Sequence, residues 1–241
     1  MSSPFQNEAF SAPDSRVKNV SDIILRAMAA EQPKLIADVG CGTGETLRYL
    51  VESMPGATGL GVDISHPNIA VAKTATESSP KKEQLRFIQG DFWALPSGQY
   101  DLIVSDSVFH LIPLPTVQMF AKVAENLSPG GVLVMTIPYA CPYNTLLWMA
   151  RRVLRAIKCK FTDQMILSIA KMLHGGKYSD SSLRERIIYM YHVPQAYLSP
   201  ELHRLLTCDL GLKLFFVELL PHASLGQAKH KIVGYRKSAG K

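Results

Sequence analysis

Asp38, Gly40, Gly42 and Gly44 fall within the seven residues Asp38-Val-Gly-Cys-Gly-Thr-Gly44, and a further acid, Asp63, follows nineteen residues later. Glycines that alternate in this way let a turn adopt left-handed dihedrals and bring backbone close to a ligand. Asp63 is placed to accept hydrogen bonds from the two hydroxyls of a ribose. The chemistry such a set supports is the grip on a nucleoside. The elements that would position it are readable on either side. Residues 35–39 form a short apolar run that predicts a buried strand, 45–52 predict a helix, and 58–62 predict a second strand delivering Asp63 at its end. Strand, glycine turn, helix, strand and acid make up the nucleoside-binding half of a Rossmann-like fold.

The glycine spacing bears on which nucleoside is held. A dinucleotide loop needs a third glycine where this chain carries Glu45. A pyrophosphate there would meet a carboxylate at a helix N-terminus, where it needs amide donors and a positive dipole. A ligand without phosphates fits better, and S-adenosyl-L-methionine, with its ammonium and sulfonium charges, tolerates nearby acids. On these residues the chain resembles the class I S-adenosylmethionine-dependent methyltransferases, and three further stretches extend the resemblance across residues 35–139. Phe87-Ile-Gln-Gly-Asp91-Phe92 is similar to the family's third-strand motif, Tyr100-Asp-Leu-Ile-Val-Ser-Asp106 to its fourth strand, and Leu127-Ser-Pro-Gly-Gly-Val-Leu-Val134 to the turn entering the fifth.

The resemblance implies a seven-stranded α/β sheet, mostly parallel with an antiparallel last strand, flanked by helices on both faces. It also implies site roles. Asp38, Gly40, Cys41, Gly42 and Gly44 would meet the methionine end of the cofactor. Asp63 and Ile64 would meet the ribose side, Asp91 and Phe92 the adenine, and Asp106, also cofactor-binding, would border both cofactor and substrate. The product would be S-adenosyl-L-homocysteine. His110 and Tyr139 are the catalytic candidates; His110 follows the fourth strand and titrates near neutrality, as a general base must. Scattered His and Cys residues show no metal-ligand spacing, so no metal is expected.

The 241 residues fit one domain: a capping helix within 1–30, a cofactor-binding core over 31–139, a helical insertion over 140–197 and a closing helix and strand pair over 198–241. Residues 16–29 have apolar side chains at helical spacing, with Asp14 or Ser15 as the expected cap, and residues 1–14 are expected to be loosely held. In the insertion, 144–158 and 163–174 read as helices. A polar stretch spans 175–186, and 199–209 reads as a last helix before strands at 213–220 and 230–236. The uncharged run 126–150 is broken by prolines and glycines and reads as turn, strand, loop and helix start rather than a membrane span.

Charge divides the chain. Residues 1–139 carry ten Lys/Arg against fourteen Asp/Glu, whereas 140–241 carry sixteen against six. The helix at 144–158 concentrates this: Leu146, Leu147, Met149, Ala150, Val153, Leu154 and Ile157 oppose Arg151, Arg152, Arg155 and Lys158. The stripe packs on the core under a solvated basic face, closes as a lid over a pocket, or lies on an anionic membrane. Tyr139, Tyr143, Tyr189, Tyr191 and His192 offer an aromatic wall for a substrate. The fourth strand lacks the proline motif of nucleobase amine methyltransferases, so a small-molecule substrate, of the kind taken by trans-aconitate-type carboxyl methyltransferases, is favoured over nucleic acid. The alternatives are docking of a nucleic acid or protein on the basic half, or a cofactor-binding subunit without turnover. Four scattered cysteines and no basic, apolar leader point to a reducing, cytoplasmic setting.

Overall fold

A computed structural model of the chain describes residues 9, 11–174, 183–184, 187–194, 196–221 and 226–239. The expectations for residues 1–8 and for 175–182 lie outside these described residues. Seven strands form one sheet, in the order β3-β2-β1-β4-β5-β7-β6: β1 (Leu35–Val39), β2 (Thr58–Asp63), β3 (Leu85–Gln89), β4 (Tyr100–Asp106), β5 (Leu127–Pro138), β6 (Leu212–Leu219) and β7 (His230–Lys237). The first five are parallel, and β7 lies between β5 and β6, antiparallel to both. Only the last strand therefore runs against the sheet.

The central strands are apolar at consecutive positions because the sheet is covered on both faces. Alternate side chains feed two cores. Ile36, Leu102 and Val104 pack towards α1 (Asp14–Ala27), α2 (Glu45–Ser53) and α3 (His66–Thr76). Ala37, Ile103 and Leu133 pack towards α4 (Thr116–Asn126) and the closing helix α7 (Pro200–Arg204), which runs on into a π-helical turn, Leu205–Asp209. On that second face Tyr235 is fully buried, its hydroxyl bonded to His203 Nδ1 at 3.0 Å, and burial pushes its pKa up to about 12.

The insertion supplies α5 (Pro142–Ala156) and α6 (Lys160–His174). Three sequence expectations need correction. The helix α1 starts at Asp14, so Asp14 and Ser15 lie in its first turn; Pro13 holds the cap position, its carbonyl accepting from Arg16 N–H and Val17 N–H at 2.8 and 3.1 Å. The aromatic wall divides. Tyr191 is buried in a separate cluster with Leu167, Leu183 and Ile187, and the Tyr189 side chain lies outside the described residues.

The third correction concerns α5: of the three readings of its stripe, packing on the core fails for Leu146, Met149, Val153 and Ile157, while Leu154 packs against the Tyr191 cluster. Leu146, Met149, Val153 and Ile157 face solvent, while Asn144, Trp148 and Arg151 are buried. The reason is hydrogen bonding. Chain segments around 192 and 226–229 carry carbonyls outside the sheet, and buried carbonyls need donors. Arg151 Nη1 donates to His192 O at 3.0 Å and Nη2 to Gly226 O at 2.9 Å; Asn144 Nδ2 donates to Tyr139 O and Lys229 O. These bonds turn Asn144 and Arg151 inward beside Trp148 and leave Leu146, Met149, Val153 and Ile157 exposed, together with Arg152, Arg155 and Lys158.

Close packing behind the glycine turn generates a test. A Cβ added at Gly61 on β2 would lie 2.5 Å from the Phe87 ring and 2.8 Å from Cys41 Sγ. Gly61→Ala is expected to lower unfolding stability by about 1–3 kcal/mol, since overpacked cores must move side chains off their preferred rotamers; chemical denaturation measures the loss.

Candidate active site

The carboxyl ends of β1, β2 and β4 meet at one point, as sheets of this type arrange for a ligand. Gly40, Gly42 and Gly44 all have positive φ, at 72°, 54° and 79°. Gly40 needs its missing side chain twice over, because a Cβ there would sit 2.3 Å from Val108 in the segment after β4. The turn is tied to β2 by Asp63, whose Oδ2 accepts from Gly42 N–H at 2.9 Å and whose Oδ1 accepts from Ser65 N–H at 2.8 Å. Glu45 opens α2 and accepts from the Thr43 hydroxyl at 2.6–2.7 Å, so a carboxylate stands at the helix N-terminus.

Acidity dominates this side. Asp38 is buried, and burial together with the charges of Asp106, Asp63 and Glu45 holds its carboxyl well above the usual carboxylate range. Burial also raises the Cys41 thiol, with Asp38 and Asp63 adding to it, so the thiol stays protonated. Asp106 behaves differently. Burial pushes it up, but Arg16 on α1 more than offsets this and the group stays below its ordinary value. Arg16 grips Asp106 with two nitrogens, at 2.6 and 3.0 Å, and also reaches the hydroxyls of Ser107 and Thr136. Ser107 takes a left-handed φ of 61°, a cost that non-glycine residues bear mainly at functional turns. A set of backbone amides and four carboxyl groups, answered by one guanidinium, fits a cationic nucleoside and disfavours a phosphate. The residues present therefore suit S-adenosylmethionine.

Beyond Asp106 the character of the site reverses. His110, His192 and His230 cluster, with His110 ring centroids 5.3 Å from His230 and 6.1 Å from His192. Thr136 and His230 come from neighbouring register positions: Asp106 pairs with Thr136, and Pro138 pairs with His230. His230 Nδ1 lies 2.8 Å from Ala228 O, and a carbonyl only accepts, so Nδ1 carries the proton and Nε2 of the neutral ring presents a lone pair. That Nε2, His110 Nδ1 and Arg151 Nε are buried and have no partner among the described residues, as is Trp148 Nε1 on the same inward face of α5. Buried polar atoms without partners are costly, and a cleft is where such a cost serves a ligand.

All three imidazoles are held neutral. Burial lowers His110 well below its ordinary value, with His230, His192, Arg151 and Arg16 adding to it. His192 is lowered mainly by burial, and its Nε2 donates to His110 O at 3.2 Å. His230 is pushed down to about 4 by burial and Arg16.

The remaining expected residues take varied places. Ile64 is exposed at the end of β2, beside Asp63. Asp91 Oδ1 accepts from Trp93 N–H and Ala94 N–H, which leaves Oδ2 for a ligand. Phe92 is buried edge-on against Phe109 in the core, whereas its neighbour Trp93 is exposed under the Lys122 ammonium. Tyr139 continues from β5, with the Lys231 ammonium 4.7 Å above its ring. Burial raises its hydroxyl pKa. Arg16, Arg151 and His230 escaped the sequence reading. No local pattern marks these roles, because each residue acquires its role from partners 41–120 positions away. Among the described residues no group of His, Cys, Asp and Glu could hold a metal ion.

Comparison with known proteins agrees with this geometry. Residues 36–131 match the family described as methyltransferase domain. The chain is 38% identical over 115 residues to a trans-aconitate 2-methyltransferase of Deinococcus radiodurans, covering 47% of this chain and 42% of that one. It is 36% identical over 116 residues to a malonyl-[acyl-carrier protein] O-methyltransferase of Halalkalibacterium halodurans, covering 46% and 41%. The matches thus span less than half the length of these relatives. In fold, it resembles magnesium protoporphyrin IX methyltransferase from Synechocystis with bound S-adenosylhomocysteine, with a TM-score of 0.58, 19% identity and coverage of 93% and 82%. The [4+2]-cyclase SpnF is similar in fold at a TM-score of 0.65 and 13% identity, covering 98% and 86%. Residues 36–131 thus match a methyltransferase domain, and the sheet as a whole has the Rossmann-like fold of the S-adenosylmethionine-dependent methyltransferases.

The depressed His230 gives stability a pH dependence. Folding excludes its charged form, so its contribution is complete above the unfolded value of 6.5 and is lost as the pH falls towards about 4. Arg16 and Arg151 oppose the proton, and the Ala228 carbonyl and Asp106 favour it. Denaturant unfolding at pH 7 and pH 4.5 is expected to show that His230→Gln removes on the order of 2 kcal/mol of the acid sensitivity. Equal sensitivity in both proteins would mean that the imidazole is not held neutral.

Proposed function

We propose that this chain transfers the methyl group of S-adenosylmethionine to an oxygen of a small organic acid. The observation that carries the reading is the reversal at Asp106. On one side lies a glycine turn among acids; on the other, neutral imidazoles and Arg151, at the same ends of the same strands. The cofactor supplies a methyl group already activated by a sulfonium, so the protein needs no covalent nucleophile.

The glycine turn and Asp38 hold the methionine end, Asp63 the ribose hydroxyls and Asp91 the adenine amino group, with Ile64 as an apolar rim. Arg16 fixes Asp106 and ties α1 across the carboxyl ends of β4 and β5, limiting water. Arg151 offers its unpartnered Nε to an anionic group of the acceptor, and His230 Nε2 or His110 Nδ1 takes a hydrogen bond or proton from an acceptor hydroxyl. Tyr139 stays protonated and serves as a donor. Alignment of the acceptor oxygen on the methyl group supplies the rate.

The relatives' names support an oxygen acceptor on an acid: trans-aconitate and a malonyl group both bear free carboxylates. The basic half favours an anionic substrate, and its cations are interleaved with apolar side chains rather than drawn into a nucleic-acid stripe. Within this reading the enzyme works in the cytoplasm, which its four free cysteines support.

Calorimetry is expected to show one S-adenosylmethionine bound per chain. In Asp63→Ala the affinity should fall about tenfold or more, the loss of one charge-assisted hydrogen bond of ~1.5–3 kcal/mol. With methyl-labelled cofactor, a panel of small organic acids should yield labelled ester or ether, and Arg151→Met should raise KM at least about tenfold through the lost charge-assisted bond. Labelled product from amines alone would replace the oxygen acceptor, and absence of cofactor binding would remove the function.

A further inference from the structure

The outward face of the insertion is apolar over two successive helices. In α5, Leu146, Met149, Val153 and Ile157 recur at spacings of three and four and share one side of the helix. In α6, Phe161, Met165, Ile169 and Met172 repeat the pattern. All eight are exposed, at 45% to 78%, and they make up half of the sixteen large apolar side chains exposed among the described residues. Ordinary surface helices bury this stripe and show charge to water. Here the buried positions are Asn144, Trp148 and Arg151 in α5 and Thr162 and Leu167 in α6. An apolar face of this extent marks a surface that meets something other than water.

Charge indicates what covers it. Residues 142–174 hold six Lys/Arg and a single acid, Asp163, whose Oδ1 already accepts from the Tyr191 hydroxyl at 2.6 Å. Arg152, Arg155, Lys158 and Lys160 are exposed along the margin of the stripe. A second copy laid on this face would press these cations together with no acid to answer them. An anionic bilayer answers both features, since acyl chains accept the apolar side chains and headgroups accept the cations. No helix among the described residues is long and apolar enough to cross a membrane. The element is therefore suited to lie in the interface plane.

We propose that α5 and α6 form a docking surface for anionic lipid bilayers, with the eight apolar side chains seated in the headgroup–acyl boundary and the flanking cations on lipid phosphates and carboxylates. The same helix carries Arg151, whose Nε is unpartnered on the inward face, so a docked molecule carries that wall of the proposed site at the membrane. The docking itself does not depend on the methyl-transfer reading.

The test is co-sedimentation of the full chain with vesicles of pure phosphatidylcholine and of equimolar phosphatidylcholine and phosphatidylserine, at low and high salt. Binding is expected on the mixed vesicles, at least about tenfold weaker on phosphatidylcholine alone, and weakened by salt. Val153→Asp with Phe161→Asp should lower it at least about tenfold. Arg152→Glu with Arg155→Glu should abolish the preference for phosphatidylserine. All these side chains are exposed and outside the cofactor site, so circular dichroism and S-adenosylmethionine affinity should be unchanged in both variants. Unchanged vesicle binding in the Val153/Phe161 variant overturns the proposal. So does a chain that ignores both vesicles, or one that forms a dimer in sedimentation equilibrium that the same substitutions dissolve. Loss of cofactor affinity in the unsubstituted chain would instead strike the methyl-transfer reading and leave the docking result standing.

Discussion

Repulsion among four carboxyl groups is the constraint around which the site is built. Asp38, Glu45, Asp63 and Asp106 arrive from three strand ends and one helix start, and Asp38 at their centre is buried from the solvent that would screen its charge. The chain answers in two ways. Asp38 keeps its proton more readily than an ordinary aspartate, and Arg16 reaches over from α1 to neutralise Asp106. What remains is a negative potential that a cationic nucleoside would complete. Cofactor binding and closure of the N-terminal helix thus draw on the same electrostatics.

Across Asp106 the low polarity of the surroundings acts on the opposite sign of charge. Burial and the two guanidinium groups keep three imidazoles neutral, and His230 is locked by Ala228 into the tautomer with its lone pair inward. A neutral imidazole accepts a proton without first having to lose one. The strand that brings His230 is held by seven register pairs to β5, from Val132–Arg236 to Pro138–His230, so the ring stands on a rigid element rather than on a mobile loop. The donor half of the site is a loop phenomenon, carried by glycines; the acceptor half is carried by strand ends and the inward face of a helix.

Much of this was written locally in the sequence, and what was not has a common cause. The glycine turn, Asp63, the alternation of strands and helices, and the closing strand pair are each specified by neighbours within a few residues, and β1, β2, β6 and β7 appear within a residue or two of their expected bounds, whereas β5 starts at Leu127 and takes in the turn expected to precede it. The Arg16–Asp106 pair joins residues 90 apart, and no window along the chain contains both. In α5 the periodicity revealed an apolar and a basic stripe but not that Asn144, Trp148 and Arg151 would turn inward and leave parts of both stripes exposed. That was decided by carbonyls near His192 and Gly226, whose need for donors exceeded the pull of the stripe towards the core. His230 sat unremarked in a basic strand, because a histidine gains a chemical role only from what surrounds it.

The return of the helical insertion to the end of β5 has a consequence for how such a protein can diversify. The insertion between Tyr139 and Leu198 departs from the end of β5 and returns to it, since these two residues are bridged and Leu198 N–H donates to Pro138 O at 2.7 Å. To the sheet that whole stretch is a single closed loop, and the entropic penalty of lengthening a loop rises only with the logarithm of its length. Helices can therefore be added, exchanged or turned over in this interval while the cofactor turn and the pairing beneath it stay as they are. The substrate-facing and outward-facing surfaces can be rewritten independently of the half of the molecule that binds the methyl donor.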